Sequence, residues 1–294
     1  MRAFDVVVAH SLPHLLDILA EYPSARLVAG ATDFIPLVRA GRWRPDPAVD
    51  ITGISDLRYL RVNQSFVEIG ALVTHGELAT SRLVRKNALA LAQAAGSVAD
   101  PQIRSRATLG GNICTASPAA DAIPALLALD AEVNLLSPGG TRVLPLERLL
   151  LGPGLTALAT DEVVLGVRFR ILGPQAGSSF VKLGRRSAMA ISVANAAAVI
   201  ELEPDGRIST ARLALGSVAP TVVRCRAVES ALAVQEGTAP IPMGAAFATA
   251  AHLVAEAIRP IDDVRASAAY RRAVAPEIAR RALESAWVAA GGPA

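Results

Sequence analysis

Residues Thr108 to Asp121 read TLGGNICTASPAAD, and the apolar run AIPALLAL follows at once. Gly110 and Gly111 remove two Cβ atoms, so the chain there can take positive φ and let a bulky group approach the backbone. Asn112 adds an amide that both donates and accepts. Ser117-Pro118 has the pattern of an N-cap followed by proline at the first helical position. The predicted helix carries Asp121 in its first turns, where a carboxylate is electrostatically favoured and able to accept from a sugar's hydroxyls. A backbone nest, a helix N-terminus and a hydroxyl acceptor together describe a site for a large polar ligand. The same residues also fit a tight structural turn and a capped helix, and spacing alone leaves both readings open.

A second loop of small residues lies upstream. ARLVAG reads as a short strand, ATD as a turn and FIPLVRAG as a helix ending at Gly41. Such a segment exposes backbone N–H groups at a helix start, where phosphate is held by hydrogen bonds and dipole together. It also fits an ordinary strand-to-helix turn. It is neither a GxGxxG fingerprint nor a P-loop, having no lysine in place.

Around these loops the chain reads as alternating elements. Ser11 and Pro13 open a helix, WRPDPAVD is an extended linker, and FVEIGALVT is a strand. Thr74 to Glu77 has capping-box spacing and predicts a helix toward Gly96. AEVNLLSPGGTRVLPL is a hairpin around Pro-Gly-Gly, and EVVLGVRFRI is another strand. GPQAGSS, Gly173 to Ser179, marks a composition shift and a domain boundary. Beyond it, a long hairpin turns at Pro-Asp-Gly and two amphipathic helices follow, AFATAAHLVAEAI and YRRAVAPEIARRALESAWVAA. Strands then helices make an α+β pattern.

Bulk properties narrow the function. The 294 residues are 52% hydrophobic and 19% charged, which excludes a disordered tail. A net charge of +3 and 4% aromatics give little electrostatic or stacking surface for nucleic acid. Cys114, Cys225 and the separated His10, His14, His75 and His252 supply no four-ligand metal or iron–sulfur set. No apolar run reaches bilayer length, and the N-terminus lacks a signal-peptide core, so a soluble, cytoplasmic protein is expected. No nucleophile elbow is present. His75 and Cys114, which flank the glycine motifs, read as packing or capping residues.

Three motifs in order, AGATD at 29–33, IRSRATLGGNICTASPAAD at 103–121 and VKLGRRSAMAISVANAA at 181–197, resemble the FAD-binding (medium) subunit of molybdenum hydroxylases. This is the xanthine dehydrogenase and carbon monoxide dehydrogenase family, and the likeness spans nearly the whole chain. It implies an α+β fold with a two-part FAD-binding region of the vanillyl-alcohol oxidase type, residues 1–176 with subdomains of about 1–57 and 58–176. A smaller α+β domain of antiparallel sheet plus helices would cover 177–294.

Carried over by position, the resemblance places Leu27, Val28, Ala29, Gly30, Ala31, Thr32, Asp33 and Phe34 around the diphosphate of a non-covalent FAD and nearby flavin atoms. Thr108, Leu109, Gly110, Gly111 and Asn112 would form a second backbone cradle. Asp121 would meet ribityl or ribose hydroxyls, Ala99 would lie just upstream of the second cradle, and Val164 and Lys182 would contact the isoalloxazine side. Lys182 near the pyrimidine edge would favour the anionic reduced flavin. The family has AGGTD or AGGTE where this chain has Ala31, so one added methyl is accommodated beside the phosphates.

The resemblance also implies an oxidoreductase subunit with no catalytic side chain and no metal ligand of its own. A large partner subunit would hold a molybdenum cofactor and a small one two 2Fe–2S clusters, assembled as a dimer of heterotrimers. NAD, oxygen, a quinone or a protein is the terminal acceptor. Arg185-Arg186 would suit an acidic cofactor such as NAD, or equally solvent or a partner. Two other readings compete: a stand-alone flavin-dependent oxidase, and a non-catalytic nucleotide-binding protein that keeps the fold.

Overall fold

The computed structural model describes residues 4–233 and 243–293. Ser11 accepts from the His14 N–H and a proline sits in the first turn, so the helix Leu12–Glu21 starts where the sequence predicts. It buries Leu15, Ile18 and Leu19, spaced to lie on one face. That face covers a parallel three-stranded sheet in the order Val6–Val8, Ala48–Asp50, Arg26–Val28. The AGATD loop therefore leaves the C-terminal end of a parallel strand, where open parallel sheets bind their ligands. The helix Phe34–Arg39 follows directly and anchors Phe34 and Val38 against Ala48 and Trp43.

The central unit is an antiparallel sheet in the order Leu60–Asn63, Phe66–Gly70, Val163–Arg170, Glu132–Ser137, Gly140–Pro145. The Pro-Gly-Gly hairpin forms as expected, with Ser137 opposite Gly140 and Gly140 at φ 115°. The predicted helix from Thr74 to Gly96 is three helices, His75–Thr80, Arg82–Asn87 and Leu89–Ser97. Its capping box forms, but Ser81 takes extended backbone and caps the next helix through Val84 N–H. Ala88, at φ −157°, makes the second break. The third helix is apolar nearly all round because it is packed between neighbouring elements, burying Ala90, Leu91, Ala92, Ala94 and Ala95.

The C-terminal unit is an antiparallel sheet in the order Ala176–Gly184, Ser192–Leu202, Ile208–Gly216, Val223–Arg224. In the second strand Ala194, Ala196, Ala198 and Ile200 face one core, while Ala197 and Val199 face the core of the central unit. Burial on both faces explains why that strand reads as an unbroken apolar run. The helix Ala268–Ala289 crosses the sheet so closely that a Cβ on Gly177 would lie 2.3 Å from the Ala286 carbonyl oxygen. The edge strand Ala176–Gly184 is covered by Leu89–Ser97: Phe180 N–H donates to Gln93 Oε1 (2.9 Å) and Ala90 N–H to Ser178 Oγ (3.1 Å). No described helix is long and apolar enough to cross a membrane.

Candidate functional site

Between the strand Arg26–Val28 and the helix Phe34–Arg39 the backbone turns through Ala31, at φ 62°. The N–H groups of Gly30, Ala31, Thr32, Asp33 and Phe34 donate to no acceptor among the described residues. Five consecutive unclaimed donors form a nest suited to an oxyanion. The glycine is needed here for close approach: a Cβ on Gly30 would stand 2.0 Å from the Arg106 carbonyl oxygen.

That contact brings in the opening stretch. Thr108 caps the helix Leu109–Thr115, accepting from Gly111 N–H. The expected second backbone cradle is not open, because its donors are taken. Leu109 N–H donates to Val73, Gly110 N–H to Ala71 and Asn112 N–H to Thr108. Leu109 and Gly110 are buried, and a Cβ on Gly110 would collide with Ala71. What this segment offers is a side chain: Asn112 Oδ1 is buried and unpartnered.

The two loops meet. Thr115 Oγ1 donates to Asp33 Oδ2 at 3.1 Å, and both loops line one cleft of about 1340 Å³. This exceeds the ~300–1,000 Å³ of an ordinary small-ligand pocket and suits an elongated ligand. Leu27, Ala29, Gly30, Ala31, Thr32, Asp33, Phe34, Ala99, Thr108, Gly111, Asn112, Asp121 and Val164 all line it. Val28, Leu109, Gly110 and Lys182 do not; Val28 packs into the small apolar cluster behind the first loop.

Asp121 and Lys182 differ most from expectation. Ser117 caps no helix, its hydroxyl accepting instead from Ala119 N–H, and the next helix begins only at Ala122. Asp121 holds the N-cap position without capping, because its carboxylate is engaged elsewhere. It accepts from Lys182 Nζ (2.6 Å), Ser192 Oγ (2.5 Å) and Asn195 Nδ2 (2.9 Å). Lys182 also donates to the Ser97 carbonyl. A buried ion pair with its remaining lone pairs satisfied is well compensated. Asp121 is thus a tie between the central and C-terminal units that also touches the cleft, and Lys182 is its counter-ion.

His75, expected as a packing or capping residue, is buried, also lines the cleft, and its Nδ1 has no partner among the described residues. Burial, with Arg104 nearby, holds its pKa down at about 4, so the imidazole is neutral at pH 7. Its backbone N–H donates to the Ala107 carbonyl, tying it to the residue just before the capping Thr108. No sequence signal beyond its place after the capping Thr74 marks it. Thr115 was also missed, since its bond to Asp33 spans 82 positions. No cluster of metal-ligating side chains occurs among the described residues.

The nest, the orphaned amide oxygen and the orphaned imidazole nitrogen fit a long, polar, phosphate-bearing ligand. Fold and cleft define the class: a dinucleotide-binding protein with two loops on one cleft and a separate C-terminal sheet-and-helix unit. Residues 2–169 match the FAD binding domain in molybdopterin dehydrogenase, and residues 179–286 match the CO dehydrogenase flavoprotein C-terminal domain. The chain is 33% identical to the 6-hydroxypseudooxynicotine dehydrogenase complex subunit alpha of Paenarthrobacter nicotinovorans, covering 97% of this chain and 94% of that one. It is 32% identical to the xanthine dehydrogenase FAD-binding subunit of Escherichia coli O157:H7, covering 98% and 99%. The solved carbon monoxide dehydrogenase of Hydrogenophaga pseudoflava contains a chain that superposes with a TM-score of 0.91 at 32% identity, covering 98% of each. This chain belongs to the FAD-binding subunits of the molybdenum hydroxylase family, and it is an oxidoreductase subunit.

Proposed function

We propose that this chain is the FAD-carrying electron-transfer subunit of a three-subunit molybdenum hydroxylase. The observation that carries the reading is the set of five unclaimed N–H groups at Gly30–Phe34, sharing one cleft with the unpartnered amide of Asn112. Those N–H groups would hold the diphosphate and Asn112 would bond a polar edge of the cofactor. Val164 would give apolar contact, and Ala99 and Asp121 would line the remaining wall. When bound, FAD supplies electron acceptance one or two at a time. The protein binds it, orients it and shields it from water.

In this reading a small partner subunit delivers electrons from 2Fe–2S clusters and a large partner with a molybdenum cofactor oxidises the substrate. A terminal acceptor, NAD among the candidates, receives the electrons. The assembly is a dimer of heterotrimers in the cytoplasm. The FAD region is of the vanillyl-alcohol oxidase type, divided near residue 57 and ending near residue 176. Relatives support the partners: one is a "complex subunit alpha", another a carbon monoxide dehydrogenase "medium chain".

The test is absorbance of the purified chain with added FAD, together with co-expression with its neighbouring genes. One flavin per chain and co-purification with molybdenum and iron–sulfur subunits is the expected result. Substrate turnover by the flavin-loaded chain alone would make it a stand-alone oxidase. Absence of bound flavin at saturating FAD would make it a non-catalytic protein with a retained fold.

A further inference from the structure

The bend after the strand Ile208–Gly216 brings the C-terminal unit onto the cleft through Ser217, Ala219 and Pro220. Ser217 is unusual there in two independent ways. It carries a side chain at φ 65°, in the left-handed region that favours glycine. It is also buried, at 9% exposure, and its hydroxyl oxygen has no hydrogen-bond partner among the described residues. Strained backbone of this kind clusters at ligand sites, and a buried hydroxyl left without a partner is costly. The backbone of the bend is satisfied on both flanks. Ser217 N–H donates to the Pro118 carbonyl (2.7 Å), and Arg259 N–H to the Val218 carbonyl (2.8 Å). Those bonds hold the bend in place and leave the hydroxyl, which can both donate and accept, unclaimed.

Two parts of the cleft lining differ in burial. Pro23, Ser24, Arg26 and Arg44, all from the first unit, are exposed. Ala120, Asp121, Ser192 and Ser217, where the central and C-terminal units meet, are buried. Hydrogen bonds join this second group: Ser217 is tied to Pro118, and Ser192 Oγ donates to Asp121 Oδ1 at 2.5 Å. The isoalloxazine is a broad ring with apolar faces and gains most from the buried wall, whereas adenosine tolerates the exposed one.

We propose that Ser217 is a further cofactor-binding residue, its hydroxyl bonding the flavin half of FAD, so that the C-terminal unit completes the site. This rests on the proposed function and adds to it a contact from the other domain.

The experiment uses the full flavin-free chain and its variants Ser217→Ala and Ser217→Gly. FAD and FMN are titrated by quenching of flavin fluorescence, and ADP by calorimetry. Both variants should bind FAD and FMN about tenfold more weakly, as loss of one hydrogen bond allows, while ADP binding stays as in the wild type. Ser217→Ala keeps the Cβ and isolates the hydroxyl. Ser217→Gly also relieves the left-handed backbone, so its flavin-free thermal midpoint should lie at or above the wild-type value and its weaker binding is not a folding defect. Unchanged FMN affinity in both variants, FMN that binds to none of the three proteins, or an equal loss for ADP would each overturn the proposal. A wild-type chain that takes no FAD sinks the functional reading itself; a wild-type chain that takes FAD no better than the variants do sinks only the role of Ser217.

Discussion

The two glycine loops look like equivalents in the sequence, but the structure gives them opposite roles. At Gly30–Phe34 the N–H groups donate to no acceptor among the described residues, whereas at Leu109–Asn112 every N–H is claimed by Val73, Ala71 or Thr108. The first loop is an open set of backbone donors. The second is a closed helix start whose free capacity is the Asn112 side chain. Glycine serves close packing in both, against Arg106 in one and Ala71 in the other. The lesson is that a glycine pair marks close approach without saying whether the neighbour is ligand or protein.

Changing the shared contact should have the largest effect. Gly30→Val puts a branched side chain where even a Cβ lies 2.0 Å from Arg106 O, forcing both loops apart. A loss of about 3 kcal/mol or more in urea unfolding is expected, with flavin binding abolished.

Next in size is a pH effect specific to the second loop. His75, whose N–H holds Ala107, has a pKa of about 4 against an ordinary 6.5. As pH falls, the unfolded chain takes this proton first. The stabilisation is therefore complete above about pH 6.5 and is lost on descending toward pH 4. It amounts to on the order of 3 kcal/mol. His75→Asn should remove that part of the pH dependence, read from unfolding midpoints at pH 7, 5.5 and 4.5; parallel curves for the two proteins would contradict it.

Gly111→Val separates binding from folding. A Cβ there meets Thr108 Oγ1 at 3.0 Å and no other neighbour, so stability should fall by only about 1 kcal/mol. Gly111 lines the cleft, so FAD affinity should drop about a hundredfold. Gly110→Val, aimed at Ala71, should instead damage the fold. Asn112→Leu is sharper still in sign. Removing an unpaired buried oxygen should leave the flavin-free chain unchanged or more stable, while FAD binds about tenfold more weakly. Equal FAD affinity would strip Asn112 of its role.

Ala31 gives the smallest change. It holds φ 62° with a Cβ, so Ala31→Gly should add about 1 kcal/mol at most, seen as a small rise in thermal midpoint with flavin binding kept.

Local structure was legible wherever neighbouring residues decide it. The Thr74–Glu77 capping box, the Ser11–Pro13 helix start and the Pro-Gly-Gly and Pro-Asp-Gly hairpins formed as written. Ser81 also carried a legible signal as the cap that divides the Thr74–Gly96 segment. Contacts between distant segments were not legible. Nothing near Asp121 foretells Lys182, Ser192 and Asn195, which arrive from 61 to 74 positions away. Likewise the carbonyls of Ala71 and Val73 that close the second loop belong to another part of the chain. Most of the expected residues line one cleft, while the division of labour among them depends on tertiary hydrogen bonds.

Amide hydrogen exchange, resolved residue by residue with and without FAD, reads that division directly. The amides of Gly30 to Phe34 should exchange fast in the flavin-free chain and become protected on loading, while those of Leu109 to Asn112 should be slow in both states. Fast amides at 109–112 that slow on loading, with 30–34 unchanged, would reverse the roles of the two loops.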